Sequence, residues 1–225
     1  MDRCIKIACL ALCGGAALPA LAEGYAVGGT FGTDGVGIEY TYALSDSVTV
    51  SAGYSGINFN TTRKISAVSY QLDSKLRSLG FKASYFPSDS SFHVTLGAIN
   101  NGTEFDAKAR PVGDSFELNG NSYPASSVSS INGKLRFPST TPYVGIGWGN
   151  PVRPETRWNF TFDMGFQYLK SVNASLNATC NNSLINQLQC FQLKNDVAQE
   201  EKQLQDDVNK NHWWPVLRAG AQYQF

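Results

Sequence analysis

Residues able to do chemistry are few in this 225-residue chain. Its two histidines, His93 and His212, are the side chains that titrate near neutrality without perturbation, so acid–base catalysis would have to recruit one of them. Acyl transfer would pair a serine with such a base. Ser126 and Ser171 stand between patterned segments, but neither has a histidine at motif spacing. His212 precedes Trp213-Trp214, where an interfacial residue is expected, and His93 reads as a hydrogen-bonded histidine on an inward face. The glycines of "VGGTFGTDGVG" precede no helix, which argues against a phosphate cradle. Asp206 and Asp207 lack the spacing of a calcium loop. No catalytic residue, metal site or cofactor is therefore expected. Four charges are more informative: Glu39, Lys82, Asp163 and Arg218 each interrupt a segment that otherwise alternates apolar with small or polar residues.

Those segments are strands, since side chains two apart share a face. "GVGIEYTYAL" carries Val36, Ile38, Tyr40, Tyr42 and Leu44 on one side. "FHVTLGA", "PYVGIGW" and "WNFTFDMGFQY" repeat the pattern, and so does the ending "WWPVLRAGAQYQF". In "VTVSAGYSGINF" the apolar parity slips at Ser55-Gly56, which reads as a β-bulge. "YQLDSKLRSLGFKASYF" changes phase in the same way. Short turns at 45–47, 87–91 and 150–157 alternate with long connections at 60–69, about 107–131 and about 172–211. Short turns on one side and long loops on the other are the layout of a transmembrane β-barrel. The Gly-rich stretch 24–32 completes the count at eight. The fold class is therefore all-β, an antiparallel up-and-down transmembrane barrel. Its domain is 23–225, with a loop insertion at 178–211.

Two connections carry structure of their own. Asn-Gly within "FELNGNSYPA" signals a local hairpin, which would make ten strands if it joined the wall. From about 183 to 210, Leu184, Leu188, Phe191, Leu193, Val197, Leu204 and Val208 follow helical spacing. Asp196, Glu200, Glu201 and other charges fall on the remaining faces, which predicts a solvated amphipathic helix over the barrel mouth.

The four charges all fall on the inward parity, four to seven residues from the same barrel end. An eight-stranded barrel is just wide enough for side chains to fill. Two acids and two bases there predict a buried ion-pair network, with Arg218 facing Asp163 and Glu39, or alternatively a selectivity ring. Aromatics mark two belts. Tyr42, Trp148, Trp158, Tyr223 and Phe225 fall near the short turns, and Trp213 with Tyr54, Phe59, Tyr70, Phe137 and Tyr168 toward the long loops.

"MDRCIKIACLALCGGAALPALA" has early basic residues, a short apolar run and a small-x-small end, the pattern of a signal peptide cleaved before Glu23. Cys180 and Cys190 then remain as an even pair in an oxidising compartment, which predicts a disulfide. Formal net charge is zero, so no nucleic-acid partner is indicated.

The signal sequence, the alternating strands, turns such as "YALSDSVTVSAGY" and the ending "AGAQYQF" together resemble the small bacterial outer-membrane barrels: OmpA's membrane domain, OmpX and OmpW. The resemblance spans 24–225 as architecture rather than as a motif. It implies an outer-membrane location, contact with outer-membrane lipid and lipopolysaccharide, a monomer, and recognition of Phe225 by the barrel-insertion machinery. The function expected first is a non-enzymatic structural or surface-interaction barrel whose loops meet a partner of unknown identity. A narrow channel for small, hydrophobic solutes is the alternative, and an outer-membrane lipid-modifying enzyme the third.

Overall fold

The computed structural model describes residues 24–65, 68–87, 90–111, 114–152, 156–181 and 186–225. The expected signal segment and its cleavage point lie outside these residues. Thirteen strands and one long helix are present among them. The strands are β1 Tyr25–Gly32, β2 Gly35–Ser45, β3 Val48–Ile65, β4 Val68–Tyr85, β5 Phe92–Asn101, β6 Glu104–Pro111, β7 Ser115–Leu118, β8 Asn121–Pro124, β9 Val128–Arg136, β10 Thr140–Trp148, β11 Trp158–Tyr168, β12 Asn173–Cys180 and β13 Trp213–Gln224. The helix, α1, is Gln187–Lys210.

Eight of these strands close a ring in the order β1, β2, β3, β4, β5, β10, β11, β13, sealed by antiparallel pairing of β1 with β13. Alternation dictates the closure. Outward positions are apolar and exposed, from Val36, Ile38 and Tyr40 on β2 to Phe160 (75% exposed), Phe162, Met164 and Phe166 on β11. The inward parity is mostly polar or glycine, with Ala26, Ala43, Ile99, Tyr143 and Val216 as buried apolar positions. In water such a belt would drive aggregation; in a bilayer it is the lipid face.

The ring is only half of the molecule. β3 and β4 run 18 residues each, about 60 Å. Only the part nearest Phe225 belongs to the wall. Ser78–Tyr85 of β4 pairs with β5, while Val68–Lys75 pairs with β6, and the sheet continues through β9 to β12. A five-stranded platform of β3, β4, β6, β9 and β12 thus rises from the end of the barrel opposite Phe225.

The platform corrects three sequence expectations. Much of what reads as loop at 60–69, 107–131 and 172–211 is strand. The parity slip at Ser55-Gly56 is not a bulge, because β3 keeps one unbroken register with β4 from Val48 to Ile65. The apolar set changes sides because the hairpin leaves the lipid. Within the wall the outward face is apolar; above it the outward face meets water and the inward one packs. Phe59, Phe105, Leu135 and Ala174 lie along one inward row, with Asp73, Asp106, Lys134 and Ser175 on the outward row beside it.

The third correction concerns α1. It starts at Gln187, after a capping box in which Asn186 Oδ1 accepts from the Gln189 N–H (2.8 Å) and Gln189 Oε1 accepts from the Asn186 N–H (3.4 Å). Leu184 lies outside the described residues. Leu193 and Val197 are buried, whereas Leu188 (81%) and Phe191 (66%) are exposed, so the apolar face is narrower than the spacing implied. The Asn-Gly hairpin is present as β7–β8, with positive φ at Asn119 (49°) and Gly120 (77°), and it stays a separate sheet.

Candidate functional site: the filled lumen and the platform

The lumen is stacked in layers. Nearest Phe225, Ala26, Ala43 and Val152 form an apolar seal, with Phe86 buried close to the same end. Above it, Lys82 Nζ sits 2.6 Å from Glu39 Oε2, and His93 Nε2 lies 2.9 Å from Asp163 Oδ1. Both pairs reach across an intervening strand, and in each case the strand between supplies glycine. Gly53 on β3 lies opposite Glu39, where a Cβ would stand 3.2 Å from Glu39 Oε2, and Lys82 lies opposite Ser51. Gly147 on β10 separates His93 from Asp163, and a Cβ there would stand 2.4 Å from His93 Nε2. The His93 ring packs on Phe86 at 4.9 Å. Gln222 donates to Glu39 Oε1 (3.3 Å) and accepts from Thr41 (3.0 Å).

Arg218 corrects the predicted pairing. Its partner is neither Asp163 nor Glu39 but Asp34, to which Nε donates at 3.0 Å and Nη2 donates as well. Ser55 and Ser78 donate to the same carboxylate oxygen, at 2.6 and 3.1 Å. Asp34 lies in the turn between β1 and β2, outside every alternating segment of the sequence. That turn ends level with Gly56 and Leu217, while β3 and β13 continue past it, so it is well placed to reach into the lumen. Only strand register reveals this. Toward the far mouth, Ile99, Tyr143 and Val216 make a second apolar layer, and Asn101, Thr141 and Gln167 close a hydrogen-bonded cluster at 3.0 Å spacings. The space left among Glu39, Lys82, His93, Asp163, Phe86 and Thr161 is about 20 Å³, enough for one or two waters.

Part of the expected aromatic set lies at the two ends of the wall, whereas Phe59 and Tyr70 lie on the platform parts of β3 and β4. Tyr25, Phe225, Tyr223 and Trp158 form a chain of ring contacts at 5.0–5.3 Å, and Trp148 meets Phe92 at 5.7 Å. Tyr42 is half-buried opposite Tyr25 and Val50. At the other rim Trp213 packs on Tyr168 at 5.2 Å. His212 Nδ1 is 3.0 Å from the Leu169 carbonyl, and neither histidine has a serine hydroxyl as partner among the described residues.

On the platform, α1 runs along the free edge of β12. The N–H groups of Leu176 and Ala174, and of Val172 just before the strand, donate to Glu201 Oε2 (2.7 Å), Gln205 Oε1 (2.8 Å) and Asn209 Oδ1 (2.9 Å). Four helical residues rise about 6 Å and two strand residues about 6.7 Å, so an i, i+4 row of side chains matches every second edge amide. Further along, Leu193 packs with Tyr123 and Val128, and Cys180 is disulfide-bonded to Cys190. Asp196, expected on a solvated face, is buried instead. Tyr123 O–H and the Asn121 and Asn119 amides donate to it and hold its carboxyl below the usual carboxylate range. Burial, then the bond to Asp196, pushes the Tyr123 hydroxyl up to about 12.

The arrangement has known counterparts. CarO of Acinetobacter baumannii superposes with a TM-score of 0.63 at 20% identity, covering 93% of this chain and 100% of that one. CarO2 of the same organism gives 0.63 at 22%, covering 91% and 99%. This is the fold of a small outer-membrane β-barrel. The likeness lies in the backbone. No family model matches the sequence, and no curated protein matches it.

Proposed function

We propose that this protein is a closed outer-membrane barrel that carries the platform as a surface for contact with molecules outside the cell, and that it is not a conduit. The observation that carries this reading is the filled lumen. Two apolar layers flank three ion pairs, and the space left among Glu39, Lys82, His93 and Asp163 is about 20 Å³. A solute would have to break buried charge pairs to pass, which costs several kcal/mol each. The exposed apolar belt between two aromatic rims supports the membrane placement. With Phe225 at the periplasmic rim, β3, β4 and α1 stand outside.

Single-channel recording on refolded protein in planar bilayers tests the reading. We expect no stable conductance steps. Reproducible steps, abolished when the barrel is heat-unfolded, would overturn it in favour of a narrow channel.

A further inference from the structure

The outward face of the wall has one marked hollow. On β11 every outward position from Trp158 to Tyr168 carries a large side chain. On β3 and β4 the outward residues Val50, Ala52 and Ala83 are small, and Val50 pairs directly with Ala83. Tyr42 and Tyr40 of β2 stand beside Val50 and Ala52 on one side. Phe81, opposite Ala52, and Leu96, opposite Ala83, stand on the other. Between these ridges lies a groove of about 520 Å³ with an apolar open face. That volume is in the range of small-molecule sites, about 300–1,000 Å³.

The groove has a fixed wall and a direction. Tyr40 stacks on Tyr25 at 6.1 Å, and Tyr25 stacks on Phe225 at 5.2 Å, so the tyrosine ridge is braced by its neighbours. Along β3 the outward residues run Val48, Val50, Ala52 and then Tyr54, whose exposed ring ends the floor. The groove therefore opens toward the rim that holds Phe225 and closes toward the opposite end. At its open end is the turn from β2 into β3, where Asp46 is exposed between Ser45 and Ser47. Among the described residues Asp46 has no ion-pair or hydrogen-bond partner.

We infer that this groove holds one acyl chain of an amine-bearing phospholipid of the periplasmic leaflet, with the ammonium group at Asp46. The inference rests on the membrane placement proposed above and assigns a site on that face. Water does not enter an apolar groove inside a bilayer, and a void there forfeits packing contacts, so hydrocarbon is the occupant. A chain entering at the periplasmic rim runs over Val48, Val50 and Ala52 and stops at Tyr54. Its phosphate then falls at the turn, where the Ser45 and Ser47 hydroxyls are donors. The lone carboxylate favours a cationic head over an anionic one. A second copy fits less well. A two-fold interface on this patch sets groove against groove and leaves both unfilled.

The test refolds the mature protein into vesicles of phosphatidylethanolamine and phosphatidylglycerol in equal amounts. The protein is then released into mild detergent and weighed by native mass spectrometry. We expect one phosphatidylethanolamine retained per barrel. Ala52→Leu with Ala83→Leu fills the floor with side chains that suit a lipid face, and should reduce retention about tenfold while keeping heat-modifiable migration. Ala219→Leu, on the outward face of β13 and outside the groove, should retain lipid as wild type does. Asp46→Asn should lower the preference for phosphatidylethanolamine over phosphatidylglycerol about threefold. No retained lipid, equal retention in the filled variant, or equal loss in Ala219→Leu would each overturn the inference. So would a headgroup preference unchanged in Asp46→Asn. A dimer lost in the filled variant, with no lipid retained by wild type, would overturn it by assigning the groove to a second copy. A chain that never inserts into the vesicles would overturn the membrane placement and the inference together, which separates that failure from the others.

Discussion

Arg218 illustrates how a residue can be legible in kind and illegible in partner. Its inward parity on β13 follows from the alternation of "WWPVLRAGAQYQF", and an unpaired charge inside a narrow barrel would be costly. Glu39, Lys82 and Asp163 are inward for the same reason. Which acid meets which base depends on where each hairpin turns, and the early turn of β1 into β2 presents Asp34 to the guanidinium. Arg218→Ala would leave the Asp34 carboxylate buried with two serine hydroxyls as its remaining donors. We expect a loss of about 3–5 kcal/mol in urea-unfolding experiments in micelles. Asp34→Asn in the same background should recover part of it, because a neutral amide needs no counter-charge. A double variant no more stable than Arg218→Ala alone would argue against Asp34 as the partner. Conductance that rises in Arg218→Ala would reinstate the selectivity ring.

At the scale of elements, the eight wall strands could be read from the sequence and the platform strands could not. Wall strands put Val, Ile, Phe and Tyr on their lipid face. β6, β9 and β12 put Ala107, Ala109, Gly133, Ala174 and Ala178 on a half-covered one, so their alternation is faint and charges dominate the window. The helix was legible in outline, but its acids read as solvated when they hold the hairpin and the β12 edge. Glu201→Ala combined with Gln205→Ala should uncover two edge amides. We expect faster exchange at Leu176 and Ala174, with the barrel amides unchanged; equal exchange in both proteins would mean the helix does not cap that edge. The Asp196 contact adds a pH dependence whose sign is fixed. Its folded pKa is lowered, so its contribution is present above the unfolded value near 4 and is lost as pH falls through the folded value. Amide signals of Asn119 and Tyr123 should therefore shift together below about pH 4. Asp196→Asn should abolish that titration and loosen the hairpin at neutral pH. Signals constant down to pH 2 in the wild type would rule the contact out.

For the whole molecule, the sharpest question is whether the exposed belt is a lipid face, because every assignment of inside and outside follows from it. Depth provides the test. Phe162 lies near the middle of β11, between Trp158 at one end of the strand and Tyr168, which ends it at the other rim beside Trp213. A lysine at the bilayer midplane costs roughly 2–4 kcal/mol and one near the interface about 0–1. Phe162→Lys should therefore destabilise the protein far more than Tyr168→Lys when unfolding is measured in lipid vesicles. Both residues are aromatic, outward-facing and partly exposed, so a water-facing belt would predict small and similar effects for the two. A third substitution completes the comparison. Asp73→Lys, on the outward row of the platform, lies above the last lipid-facing residues of β4, Leu79 and Phe81. It should cost little, since the same outward parity that meets hydrocarbon at Phe81 meets water there. A cost at Asp73 matching that at Phe162 would place the platform in the membrane and invert the topology proposed for it.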